Sequence, residues 1–439
     1  RKHVFHLRDD VFGSDGVQLT ARDFEYTWKR LLDPNAEQRW FIYLSDIKNA
    51  MSYHRGEIET PDPVGVRAVD NFTLAVEMEG PTSYFPYLMA FVAGFPMPQH
   101  VIEIHGDDWI KMENMVTNGP FRVASWKRGH SLVLDRNPTY HGSFTGNLEQ
   151  VECLFISDQP TKSLNLYQQD KLDIFKDLPL VGLASTRQRF AGEYVSGPWM
   201  STSFIGFLTR NPPFNDQRVR RAFAMATDRE NLADVILRGY AFPATGGFVP
   251  PDMPGHSPEI GLKFDPEGAR RLIAEAGYPG GVGFPTIECL ARDDPGHDLA
   301  CEYLQSQWKE HLGINIEWKQ IKWVDFYDLI SEETPNMWMV SWYADYPDPD
   351  DSLRIAWWIG YTGWKNETYN HLVEGARRVM DQQERMSMYQ QADKTLIEEA
   401  PLLPLCYRRF HMLVKPWVKN ISTSPLKWWL WKDIVIEPH

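Results

Sequence analysis

Met337-Trp338-Met339-Val340-Ser341-Trp342-Tyr343 is an almost unbroken apolar run of strand length, and it breaks at once into Ala344-Asp345-Tyr346-Pro347-Asp348-Pro349-Asp350-Asp351. A strand that is apolar on both faces belongs in a sheet covered on both sides, the habit of parallel α/β sheets. In such sheets ligands sit beyond the carboxyl ends of the strands. The acidic, proline-stiffened loop is therefore a candidate site. On spacing alone it also reads as a solvated, proline-capped turn.

The segments leading to this strand support an α/β reading. Residues 297–312 place Leu299, Ala300, Tyr303, Leu304, Trp308 and Leu312 on one helical side, with Gly313 as a stop. Ile314, Ile316 and Trp318 then begin a strand. Asp265-Pro266, followed by Ala269, Leu272, Ile273, Ala276 and Gly277, has the cap, first-turn proline and terminal glycine of a second helix. From Phe214 to Ala226 a third carries Val219, Ala222, Phe223 and Ala226 on one face. Thr227-Asp228-Arg229-Glu230 offers a capping box for a further helix ending at Gly239.

The first half is similarly mixed. Thr20 caps a predicted helix over 20–32, with Asp23 in its first turn. After Asp70-Asn71, the alternation of Phe72, Leu74, Val76 and Met78 predicts a half-buried strand. Val151, Cys153 and Phe155 predict another, followed by a helix near 160–169 and a strand over Leu172–Phe175. That order predicts a βαβ unit with parallel strands.

Composition narrows the function. With 439 residues the chain exceeds a single core, so two or three domains are expected. A formal net charge of -14 argues against a nucleic-acid partner. The 17 Trp, 18 Tyr and 23 Phe suit either an aromatic-lined cavity or a tryptophan-rich core. Cys153, Cys289, Cys301 and Cys406 form no CxxC pair and show no zinc spacing; the sequence is compatible with one or two disulfides that it does not assign, with free buried thiols as the default. Neither a metal nor a cofactor is expected. The first residues, Arg1-Lys2-His3-Val4-Phe5-His6-Leu7-Arg8, read as the interior of a strand, with no initiator Met or signal peptide before them.

At the acidic loop a family resemblance becomes specific. Trp342-Tyr343-Ala344-Asp345-Tyr346-Pro347-Asp348-Pro349 resembles the W-x-A-D-Y-x-x-P motif of the family 5 extracellular solute-binding proteins, the oligopeptide and dipeptide receptors of ABC transporters. Further blocks follow in the family's order. Phe5-His6-Leu7-Arg8, Ser14-Asp15-Gly16 and Thr20-Ala21-Arg22-Asp23-Phe24 together resemble its N-terminal block. Thr117-Asn118-Gly119-Pro120-Phe121 and Arg136-Asn137-Pro138-Thr139-Tyr140 match two more. Pro213-Phe214-Asn215-Asp216-Gln217-Arg218-Val219-Arg220 and Leu413-Val414-Lys415-Pro416-Trp417 complete the series across nearly the whole chain.

The resemblance implies an α/β periplasmic-binding-protein-like fold (type II, cluster C), with two lobes made from three domains. Domain II would span 1–99. Domain I would comprise 100–199 and 408–439, without an N-terminal portion that family members carry. Domain III would span 200–407, and segments near 197–203 and 404–412 would form the hinge. The implied function is binding of an extended ligand, foremost a peptide, and its delivery to a membrane ABC-transporter permease. Implied with it are a monomer, a periplasmic or extracellular location, and lipid anchoring through an N-terminal segment outside this sequence. Relatives of the same fold that bind oligosaccharides, nickel chelates or haem define the alternative.

Carried over residue by residue, Asp345 matches the aspartate that pairs with the ligand α-ammonium. Trp342 and Ala344 flank it and would offer backbone groups to the ligand. Arg292 and His297 fall where family members contact ligand ends or backbone. Arg292 also reads as a surface ion-pair partner of Asp293 or Asp294, and His297 as an exposed capping residue. Trp40, Trp323 and Tyr407 align with aromatic pocket positions and equally suit core packing. Ile330 and Met339 stand where some oligopeptide receptors have carboxylate-binding arginines. Asp348, Asp350 and Asp351 read as solvated loop acids. A hydrolase using the acidic loop is the remote rival, and Gly-x-Ser-x-Gly, His-Glu-x-x-His and P-loop motifs are absent from the sequence.

Overall fold

Thr20 adopts extended backbone (φ −129°, ψ 170°) and opens helix α1 (Ala21–Leu31) through the reciprocal capping box with Asp23. The structure is a computed structural model that describes every residue except 37–38, 157–159, 295 and 427–429. The chain divides into two compact units, one built on Arg1–Phe175 with most of the segment after Val414, the other on Lys176–Leu413.

In the first unit, β1 (Lys2–His6), β2 (Val66–Asp70) and β3 (Thr73–Glu77) form an antiparallel sheet in the order β1-β3-β2. Helix α1 packs on β2 with Ala21, Trp28 and Leu31 buried. A second antiparallel sheet joins β4 (Phe121–Lys127), β5 (Ser131–Arg136) and β6 (Gln150–Leu154) in sequence order. The expected βαβ unit is not formed. β6 pairs antiparallel with β5, and the short strand Ile174–Phe175 is not part of its sheet. Alternating apolar residues mark a strand but not its partner, and here a neighbouring hairpin won the pairing.

The second unit is organised around β7 (Tyr194–Phe207), β8 (Ile287–Arg292), β9 (Ile316–Ile321), β10 (Met337–Tyr343) and β11 (Leu402–Val414). Their order is β9-β8-β10-β7-β11. β8 runs parallel to both β9 and β10, while β7 is antiparallel to β10 and β11. Helix α2 (Gln217–Met225) is capped by Asp216, whose carboxylate accepts from the Arg218 amide at 2.8 Å. Helix α3 (Pro266–Glu275) is capped by Asp265, which accepts from the Gly268 amide at 2.9 Å. The helix after Thr227 departs from expectation. Asp228 is its cap, and it is a single turn, Arg229–Asn231, that widens into a π-turn over Leu232–Ile236. The Thr227 hydroxyl instead donates back to the Phe223 carbonyl at 2.8 Å.

Helix α4 (His297–Leu312) connects β8 to β9, and α5 (Trp323–Glu332) connects β9 to β10. They cover opposite faces. Trp308 of α4 packs on Phe223, which with Phe214 meets Phe207 on one face. Phe326 and Ile330 of α5 join Leu290, Trp338, Val340, Phe204, and Tyr389 and Leu396 of α6 (Gln382–Glu399) on the other. A Cβ at Gly206 would lie 2.2 Å from the Trp338 ring, so the indole lies flush on the sheet only because position 206 has no side chain. Because β9 and β10 flank β8 on opposite sides, the chain reverses direction across the sheet there. The crevice of such a reversal opens beyond the carboxyl ends of β8 and β10.

Candidate functional site

The residues at those two strand ends come from the second unit alone. Arg292 ends β8, His297 begins α4, and Trp342 and Tyr343 end β10 just before Asp345. Asp345 is partly exposed. The other acids of its loop are not. Asp348, Asp350 and Asp351 are all buried, which overturns their reading as solvated loop acids. Arg385 grips Asp348 with both terminal nitrogens at 2.7 and 2.6 Å. Asp350 accepts from Arg354 Nε at 2.8 Å, the Tyr346 hydroxyl at 2.7 Å and the Tyr389 hydroxyl at 2.9 Å. Asp351 accepts from the Trp342 indole at 2.8 Å and the Asp345 amide at 3.2 Å. Burial, and then the Asp345 charge, raise the Asp351 carboxyl well above its ordinary pKa. Three carboxyl groups thus hold the loop, and Asp345 is presented at its start.

The Trp342 backbone and the Ala344 N–H already pair with β7, where the expectation was that they face a ligand. Ala344 donates to the Met200 carbonyl at 2.8 Å, and Trp342 stands opposite Thr202 in the same ladder. By strand alternation, the peptide groups of Ser341 and Tyr343 point to the other edge of β10, past its last pairing, Ala291 with Met339.

His297 corrects another expectation. It is buried, not exposed, and Gly296 in the left-handed region (φ 86°) occupies the cap position. Its Nδ1 lies 2.8 Å from the Arg292 carbonyl, so that nitrogen carries the proton. Burial lowers the His297 pKa to about 4, against a raising effect from Asp294. At neutral pH the ring is uncharged and its Nε2 is an acceptor. It cannot serve as the cation for a carboxylate.

Arg292, whose carbonyl the His297 Nδ1 meets, ends β8. Its Nη2 pairs with Asp294 Oδ1 at 3.3 Å, and the guanidinium carbon lies 4.5 Å from the centre of the Trp323 ring. Trp323 is 39% exposed, and its ring neighbours Tyr327 at 5.8 Å and Trp358 at 6.3 Å. Trp357 links Tyr327 at 5.8 Å to Trp342 at 6.1 Å, making a continuous aromatic wall beside Arg292.

Tyr407 and Trp40 are each packed within their own unit. Tyr407 is buried, donates to the Gly247 carbonyl at 2.8 Å and meets His256 edge-on, so it braces a loop of the second unit and does not line the crevice. Trp40 belongs to the first unit, where its ring packs against Tyr43 at 5.9 Å and Phe91 at 5.7 Å.

Sequence reasoning missed Arg408. It is buried within β11, and its guanidinium hydrogen-bonds the Tyr343 side chain. Burial works against its charge, but Tyr343 and Asp294 more than restore it, and its pKa stays above the ordinary value. The available signal was an arginine pair, Arg408-Arg409, inside an otherwise apolar strand.

Residues 1–361 match the model of the bacterial extracellular solute-binding proteins, family 5 Middle. The chain belongs to this family. It is 31% identical to the probable deoxycholate-binding periplasmic protein YgiS of Escherichia coli, over all of this chain and 83% of that one. It is 30% identical to the periplasmic oligopeptide-binding protein OppA of Salmonella typhimurium, over 99% of this chain and 82% of that one. The solved structure of the E. coli murein tripeptide binding protein MppA superposes with a TM-score of 0.90 at 28% identity, covering 100% of this chain and 88% of that one. The fold is that of the periplasmic binding proteins. Among the described residues, no helix is long and apolar enough to cross a membrane.

Proposed function

We propose that this family 5 chain is the peptide receptor of an ABC importer, with Asp345 receiving the ligand α-ammonium. The observation that carries this reading is the contrast within one loop. Asp348, Asp350 and Asp351 are buried and bonded to the protein, while Asp345 stays partly exposed at the carboxyl end of β10. A desolvated charge-assisted bond to an ammonium contributes about 1.5–3 kcal/mol. The relatives named above as oligopeptide and murein tripeptide binders support the ligand class. The same reading makes the chain a monomeric, non-catalytic receptor in the periplasm or at the cell surface, working with a membrane permease. It also divides the chain into domains 1–99, 100–199 with 408–439, and 200–407.

Titration calorimetry of the full chain with a tri- to pentapeptide pool tests this. Asp345→Ala should weaken binding by more than about tenfold, equivalent to roughly 1.4 kcal/mol. Unchanged affinity would remove Asp345 from the site.

A second reading follows from the aromatic wall. Trp323, Tyr327, Trp357 and Trp342 beside the Arg292 guanidinium suit a rigid apolar carboxylate of the kind named for YgiS. Such a ligand has no ammonium. Its binding would survive Asp345→Asn, whereas peptide binding would not.

A further inference from the structure

The three buried acids of the loop are not held alike. Asp348 is gripped by Arg385, and Asp350 by Arg354. Asp351 is fully buried, yet among the described residues its carboxyl is bonded only to two neutral donors. They are the Trp342 indole at 2.8 Å and the Asp345 amide at 3.2 Å. A buried carboxylate without a cation is costly, and such a group takes up a proton instead.

The charges around Asp351 work in the same direction. Asp345 and Asp350 both favour its protonated form, Asp345 the more strongly. Asp350 is itself paired with Arg354 and feels Arg377. From α6, Arg385 is spent on Asp348, and the Tyr389 hydroxyl on Asp350. Tyr369 packs on the turn that Asp351 opens and donates to the Leu353 carbonyl at 2.6 Å. Of these carboxylates Asp345 is the partly exposed one, so its charge is the one that a ligand can meet. A cation at Asp345 cancels the push of that carboxylate on Asp351, and burial alone is left to keep the proton in place.

We propose that Asp351 couples ligand binding to proton release. The empty receptor holds Asp345 ionised, with a protonated Asp351 behind it. One cation enters at Asp345, and one proton leaves Asp351 for solvent. By linkage, the affinity for a cationic ligand end rises with pH through the range where Asp351 ionises, and acid loosens the ligand. The inference rests on the reading that places an ammonium at Asp345 and deepens it by giving that site a pH dependence.

Calorimetry of the full chain with a tripeptide pool, from about pH 5 to about pH 9 and in two buffers of different ionisation heat, counts the protons exchanged. Peptide α-amino groups titrate at about 7.7–8.0 and take up a proton on binding, a contribution common to every form of the receptor. Beyond it, the unaltered protein should release up to one proton, and its affinity should climb by as much as about tenfold per pH unit where it does so. Asp351→Asn cannot titrate and should bind without that release. In the unaltered protein, which needs no variant to fold, the infrared difference between occupied and empty states should show the loss of a protonated-carboxyl band. A retained band, with no proton released beyond the amine's own exchange, would overturn the inference and leave the receptor reading standing. The same release from Asp351→Asn would also overturn it. Binding of no peptide to the unaltered protein would sink the receptor reading, and this inference with it.

Discussion

The indole of Trp342 donates to Asp351 across nine residues, at 2.8 Å, and the amide of Asp345 donates to the other oxygen of the same carboxyl at 3.2 Å. One buried side chain therefore fixes both the Trp342 ring near the end of β10 and the start of the loop that follows. Its raised pKa favours the protonated form, in which the group holds two donors without placing a second full charge beside Asp345. The position of Asp345 depends on this clasp more than on the strand alone.

Asp351→Asn is the test of the clasp. The amide would turn its NH2 toward either the Trp342 indole or the Asp345 N–H, setting donor against donor. Leaving one buried donor unsatisfied costs about 1–3 kcal/mol. A fall of that size in urea-unfolding stability is expected, with a loss of ligand affinity as Asp345 shifts. Unchanged stability would show that the carboxyl does not hold the loop.

The Arg385–Asp348 pair anchors the same loop from α6. Both side chains are almost fully buried, and their two contacts are bidentate. Removing one partner of such a pair leaves an uncompensated charge and costs about 3–5 kcal/mol. Arg385→Met alone should therefore unfold the protein at markedly lower urea. Asp348→Leu in the same chain should recover most of the loss, because neither charge is then left unpaired. A double variant no more stable than Arg385→Met would contradict this account.

Much of this architecture was legible in the sequence, and the parts that were not share a cause. Period and caps placed α1, α3 and α4 because Thr20, Asp265 and Gly313 act within their own turn. The two-sided burial of β10 followed from its unbroken apolar run. The partners of charged groups lie far away in sequence, and local pattern is blind to them. Asp348 finds Arg385 and Asp350 finds Tyr389, both on a helix more than thirty positions downstream. A run of Asp and Pro therefore read as solvated when it is folded inward. For the same reason local pattern shows neither the partners of Arg408 nor the burial of His297: each is defined by what β8, β10 and β11 place around it.

Asp393 gives the protein a pH dependence of definite sign. It is fully buried in α6 and accepts the amides of Phe248 at 2.8 Å and Val249 at 3.3 Å. Burial pushes its pKa up from 3.8 to about 7, against the opposing pull of those two amides. Between those values the folded chain holds a proton that the unfolded chain releases. The stabilisation is fully present below about pH 4 and is lost as pH rises through about 7. Asp393→Asn keeps an acceptor for Phe248 but cannot titrate. Urea midpoints measured from pH 4 to about pH 8 should fall less steeply in the variant than in the unaltered protein across this window. Parallel profiles would mean that Asp393 does not hold its proton in the folded state, and the loop it braces, with Gly247 under the Tyr407 hydroxyl, would need another source of order.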